Sequence, residues 1–172
     1  MVQSFKKGKD ISVMIWGAIY GNRRSDIVLL ERDPDSEKSG YTANSYLTIL
    51  REQIPRTYEP GRIFMQDNAR IHTAKKVMAW FEEEGISLLD WPPYSPDLNP
   101  IEHLWAQLKQ WINDHYPDLI QMGKSEADYQ RLFTAIHEGW DAIRQEAIDA
   151  LIKSMDTRIN AVIRAKGWYT RF

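Results

Sequence analysis

A mixed α/β domain is the fold class this sequence predicts, on three observations. An early pair of β-rich runs is divided by Gly21-Asn22, a strand, helix, strand succession fills the middle, and the last third keeps helical periodicity. The 172 residues suit one domain, and 43% hydrophobic content with seven Trp and five Phe can fill a core.

The elements follow in order. Ser12 to Tyr20 (SVMIWGAIY) is apolar and β-rich, Gly21-Asn22 is a turn signal, and Asp26 to Glu31 (DIVLLE) is a second run, so an antiparallel hairpin is expected. After a charged loop from Asp33 to Gly40, the residues Tyr46, Leu47, Ile49, Leu50 and Ile54 recur at helical spacing, and Pro55 is expected to stop the helix. Arg62 to Gln66 (RIFMQ) reads as a buried strand ending at Asp67. From Thr73 a helix turns Val77, Trp80 and Phe81 inward and ends at Gly85, and Ile86 to Trp91 (ISLLDW) is the next strand. A right-handed crossover would make these two strands parallel, so the sheet is expected to be mixed. Beyond the proline-studded loop Pro92 to Pro100, Asn99 reads as an N-cap with Pro100 at the first helical position. Ile101, Leu104, Trp105, Leu108, Trp111 and Ile112 form the apolar stripe of that helix. Tyr116 to Ser125 is a weak linker candidate. Leu132, Phe133, Ile136 and Trp140, then Ile143 to Met155 and Arg158 to Lys166, continue helical periodicity up to Gly167. Residues 1–116 are therefore read as the α/β part and 117–172 as a helical extension of the same domain.

Charge and composition narrow the function classes. With no Cys, disulfides and thiolate metal sites are excluded, and any metal must be held by oxygen or imidazole. No apolar run is long enough to span a bilayer, and Met1 to Asp10 has no apolar signal core, so a soluble intracellular protein is expected. A net charge of −2 and a pI near 6.1 argue against a surface that grips nucleic acid everywhere.

The residues that carry chemistry are Asp67 and Glu102, with thirty-four residues between them, positions 68 to 101. A carboxylate at the C-terminal end of a buried strand lies where open α/β sheets place functional groups. Glu102 steps about 100° off the apolar stripe from Ile101, so it can face the strand ends. Two hard carboxylates suit Mg²⁺ or Mn²⁺, and paired ions of this kind serve in-line displacement at phosphorus. Each residue also has a plainer reading. Glu102, three after Asn99, fits the reciprocal partner of a capping box. Asp67 and Asp97 fit turn residues, His72 a structural histidine rather than a ligand, and most Trp the core, with Trp91 placed to stack on a nucleotide.

Four segments settle the choice by resemblance. VMIWGAI at Val13 to Ile19, MQDNARIHTA at Met65 to Ala74, LLDWPPYSPDLNPIEHLWAQLK at Leu88 to Lys109 and the ending GWYTRF resemble the catalytic domain of Tc1/mariner-type transposases, the DDE superfamily endonucleases. The likeness runs nearly end to end. It implies a ribonuclease H-like fold, an Asp, Asp, Glu triad holding Mg²⁺ (or Mn²⁺), and DNA as substrate: cleavage at transposon ends and joining of the freed 3′-hydroxyl to target DNA. It makes Asp67 the second aspartate and Glu102 the final glutamate, with Asn68, His72, Trp91, Asp97 and Asn99 as supporting residues. Nuclear location and self-association are further expectations of the same kind.

The chain also departs from the pattern. The family's first aspartate lies on an opening strand ahead of the one resembling Ser12 to Tyr20, and no residue here takes its place; Asp10 stands at the entry of the wrong strand. Arg70 stands where Pro is common. Two readings follow: a Tc1-like catalytic domain that cleaves and transfers DNA only when completed by a preceding part, or a catalytically inactive derivative that binds nucleic acid weakly or self-associates. An unrelated metal-binding hydrolase is a distant third. Without the first strand, the sheet is expected to expose unpaired edges.

Overall fold

The computed structural model describes residues 2–7, 11–92, 95–121, 123, 125–168 and 170. Among the described residues, seven strands and six α-helices follow one another as β1 (Val2–Lys7), β2 (Ile11–Trp16), β3 (Ile19–Tyr20), β4 (Arg23–Arg24), β5 (Val28–Leu29), α1 (Ala43–Thr57), β6 (Ile63–Phe64), α2 (Lys75–Glu83), β7 (Ser87–Leu88), α3 (Ile101–His115), α4 (Glu126–Ala142), α5 (Gln145–Lys153) and α6 (Met155–Arg164). Single 3-10 turns at Pro96–Leu98 and Pro117–Gln121 flank α3.

β2 divides the core in two. Its side chains alternate, as the period of a strand requires: Val13 and Ile15 join the cluster of α3, α4 and α5, whereas Met14 and Trp16 face the cluster built on α1 and α2. The first cluster holds Trp105 stacked on Trp140 at 5.2 Å between ring centroids. Gly17, at the end of β2, passes so close over this pair that a Cβ would lie 3.0 Å from Trp105. Arg24 fastens the β3–β4 hairpin to the end of α4, donating to the carbonyls of Trp140 (2.7 Å), Ile143 (2.7 Å) and Asp141 (3.1 Å). These carbonyls lie at the negative end of the helix dipole, where the Trp140 carbonyl has only a long 3.3 Å bond from the Ile143 amide, so a guanidinium suits them.

Antiparallel and parallel pairings both occur, as expected, but among the described residues they form three small separate sheets rather than one mixed sheet. β1 pairs with β2 along its length, Val2 opposite Trp16 and Lys7 opposite Ile11, and β2 pairs with β5, both antiparallel. The sequence VQSFKK gives no apolar alternation, so partner pairing rather than local pattern makes β1 a strand, and it contributes no acidic residue. The run Ser12 to Tyr20 is two strands broken at Gly17-Ala18, and Gly21-Asn22 closes the small β3–β4 hairpin instead of joining the two longer runs. β6 and β7 are parallel, joined through α2, and form a sheet of their own.

Consequently one side of β6 has no strand partner among the described residues. The expected buried strand is short, and Ile63 is 64% exposed above a groove of about 410 Å³ bordered by Gly17, Ile19, Arg23, Ile63, Phe64 and Met65. The unpaired edges expected from the sequence are therefore found at β6, while β2 is paired on both sides.

Two helix boundaries differ from expectation. α1 runs through Pro55, which lies in its last turn, where the ring removes only the bond to the Arg51 carbonyl. Ser154 separates α5 from α6 where one continuous helix was expected, and Phe133, read as core, is 40% exposed. The linker candidate is a packed 3-10 turn whose Leu119 is fully buried in the same cluster as Val13 and Trp140. Gly85 ends α2 at φ +64°, the left-handed conformation a C-terminal glycine supplies without strain. Among the described residues no helix is long and apolar enough to cross a membrane.

Candidate active site

Asp67 follows β6, and Glu102 sits in the first turn of α3; a cavity of about 390 Å³ brings them together with Asn68, Trp91, Ser95 and Asn99. The cavity joins strand end to helix start through a chain of hydrogen bonds. Asn68 Nδ2 donates to the Trp91 carbonyl at 2.9 Å, which ties the Asp67 loop to the start of the proline loop. Asn99 Nδ2 donates to Glu102 Oε1 at 3.3 Å.

That last contact overturns the capping readings. No side chain caps the N-terminus of α3; Pro100 occupies the cap position, and the Glu102 amide bonds to the Asn99 carbonyl. Proline fits a helix start because its missing N–H would have no helical partner there. With its backbone role gone, Asn99 orients the Glu102 carboxylate, and both side chains line the cavity.

Asp67 is held from behind. His72 is fully buried, and its Nδ1–H donates to Asp67 Oδ1 at 2.6 Å. The Ala69 amide donates to the same oxygen at 3.1 Å. Burial pushes the Asp67 carboxyl up, but the His72 and Ala69 bonds outweigh it and hold the group below the ordinary aspartate value. Glu102 is pushed the other way, first by burial and then by the charge of Asp67. Two neighbouring carboxylates whose values are driven apart form a site that gains when a cation neutralises the repulsion.

Two residues outside the predicted set complete the support. Tyr46 of α1 donates from its hydroxyl to Gln66 Oε1 at 2.8 Å, and its ring lies 4.4 Å from that of His72. Gln66 Nε2 in turn donates to the His72 carbonyl at 3.4 Å. Tyr46 sits at a helical-period position and reads as core in the sequence; only the placement of Gln66 beside Asp67 hints at the network. Trp91 is buried, 7% exposed, so it walls the cavity and is not presented as a stacking platform for a base. The side chain of Asp97 lies outside the described residues, as does Asp10. Among the described residues no group of three His, Asp or Glu side chains gathers into a metal cluster.

A family model described as DDE superfamily endonuclease matches residues 31–122. The chain belongs to that family, in its Tc1/mariner branch. It is 34% identical over 161 residues to the transposable element Tc1 transposase of Caenorhabditis elegans, a match covering 94% of this chain and 55% of that protein. It is also similar to two solved structures. The Mos1 transposase catalytic domain with raltegravir and Mg matches with TM-score 0.68 and 22% identity over 99% of this chain and 83% of that one. The Mos1 mariner paired end complex with Mn matches with TM-score 0.65 and 22% identity over 93% of this chain and 45% of that one. The fold is thus the ribonuclease H-like fold of a transposase catalytic domain. The chain spans little more than half the length of the curated relatives it matches first.

Proposed function

We propose that this chain supplies two of three metal-binding carboxylates of a DNA-cleaving and strand-transferring transposase, Asp67 and Glu102. The observation that carries the reading is their shared cavity, with the charge of Asp67 felt by Glu102. Mg²⁺ or Mn²⁺ fits this donor set, being a hard cation that takes carboxylate oxygen and keeps several waters. When bound, such ions activate a hydroxyl nucleophile and stabilise the leaving oxygen at a phosphodiester. The chain's own residues orient the carboxylates: His72 and Ala69 fix Asp67, Asn99 fixes Glu102, and Asn68 sets the spacing between the two segments. Residues 117–172 act in this reading as an extension of residues 1–116, since the helices of both share one core. The divalent ions are those named for the Mos1 structures, one of which is a complex with a left transposon end; in this reading the partner is DNA, and action on genomic DNA would place the protein in the nucleus.

A second reading is favoured by one observation. With no third acidic or imidazole ligand among the described residues, the chain by itself would hold metal weakly and leave DNA uncut, serving as a nucleic-acid-binding or self-associating module. The deciding experiment is Mn²⁺ titration with thermal melting and nicking of supercoiled plasmid, on wild type, Asp67→Ala and Glu102→Gln. The metal-site reading expects a melting temperature that rises with Mn²⁺ in wild type and is flat in both variants; equal rises in all three would overturn it. Nicking is read on this chain joined to a preceding part that carries the third carboxylate: nicking there that disappears in the variants supports the first reading, and metal binding without nicking even there supports the second.

A further inference from the structure

Arg158 is 2% exposed, one of the largest fully buried side chains in the protein, and the candidate site does not use it directly. It lies on α6, which packs against α5 and against the 3-10 turn Pro96–Leu98, the part of the proline loop that leads into Asn99 and Glu102. Its Nε donates to Ser154 Oγ at 2.8 Å, and the Ser154 hydroxyl donates to the Leu151 carbonyl at 2.6 Å. The head of this side chain is thereby fixed to the junction between α5 and α6. A guanidinium out of water is costly unless its donors are used, so it persists where it fixes a geometry that an apolar side chain would leave loose.

We propose that Arg158 is a positioning residue: it locks the C-terminal helix onto the Pro96–Leu98 turn and so sets the place of Asn99 and Glu102 in the cavity. The inference rests on the metal-site reading for its consequence, though not for its geometry. A segment more than fifty positions downstream of Glu102 thus belongs to the site, and the C-terminal helices are more than a cover for the sheet.

The test is amide hydrogen exchange on the full chain, with Mn²⁺ affinity measured on the same samples. Arg158→Met keeps the bulk and removes the charge and the fork; Ser154→Ala leaves the guanidinium and removes the acceptor of its Nε. In Arg158→Met the amides of Leu98, Asn99, Glu102 and His103, which bond within the turn and the start of α3, are expected to exchange about tenfold faster or more. The amides of Ile136 and Trp140 in α4 should be unchanged. Ser154→Ala should give the same local pattern at smaller amplitude, which keeps the test decisive if Arg158→Met does not fold. Unchanged protection in the loop, or equal loss throughout the molecule, would overturn the proposal, because a residue that only fills the core has no reason to act on this loop alone. Mn²⁺ affinity should fall together with loop protection. If wild type and Asp67→Ala bind Mn²⁺ alike, the metal reading fails while the exchange data still decide the role of Arg158.

Discussion

Glu102 works against the stability of the fold that positions it. Its carboxyl is pushed up by burial and by Asp67, so the charged form is disfavoured in the folded state. For an acid raised in this way the full stability is present at low pH, and the cost appears as pH rises through the folded value. Asp67 has the opposite sign: held low, chiefly through His72 against the cost of burial, it contributes stability above the ordinary carboxylate range that is lost as pH falls through its folded value. Glu102→Gln should therefore raise the melting temperature near neutral pH, by about 2 °C, an effect of about 1 kcal/mol or less after screening by solvent. Below about pH 4, where the wild-type carboxyl is protonated, the two proteins should melt alike. Thermal melts from about pH 3 to about pH 8 check this, and a variant that melts lower at neutral pH would mean that Asn99 and Glu102 stabilise more through their hydrogen bond than the charge costs.

At the scale of elements, the helices were legible because their apolar spacing is long and regular, and the strands less so because they are short and depend on partners. The stripe of α3 reads directly from Ile101 to Ile112, whereas β1 carries no local signature. The two carboxylates were legible from their motifs, but the supports were not: Tyr46 looks like one more core position, and Arg158 like one more charge on a helix. Gly139 is a similar case. Glycine in a helix interior normally costs about 0.5–1 kcal/mol relative to alanine, so substitution would be expected to help. Here a Cβ would meet Leu108 Cδ1 at 2.7 Å and Trp111 Cε3 at 2.8 Å, since α4 crosses α3 at this point. Overpacking of this kind costs about 1–3 kcal/mol and outweighs the propensity gain. Gly139→Ala should lower stability by about 1–2 kcal/mol in urea denaturation; a stabilised variant would show that the two helices can separate at little cost.

At the scale of the whole molecule, the groove between the β3–β4 hairpin and β6 is the feature that most separates this chain from a closed β architecture. β6 offers unpaired backbone groups on one side, and Ile63, 64% exposed, adds an apolar side chain to that edge. An exposed edge of this type is a template for pairing with another chain, and charged residues are the usual means of blunting it. Ile63→Lys tests how far the edge governs association. The side chain already faces solvent, so the folded state loses little and the melting temperature should stay within the range of an ordinary surface change, about 0.5 kcal/mol. The lysine would bring its charge and its hydration to the edge where a second strand would have to seat, making pairing less favourable without touching Asp67 or Glu102. Sedimentation velocity on wild type and Ile63→Lys over a range of protein concentrations should show concentration-dependent association in the first and a marked loss of it in the second. Association that survives the lysine would assign self-assembly to another surface, with the exposed Ile159, Ile163 and Trp168 at the C-terminal end as the next to be replaced.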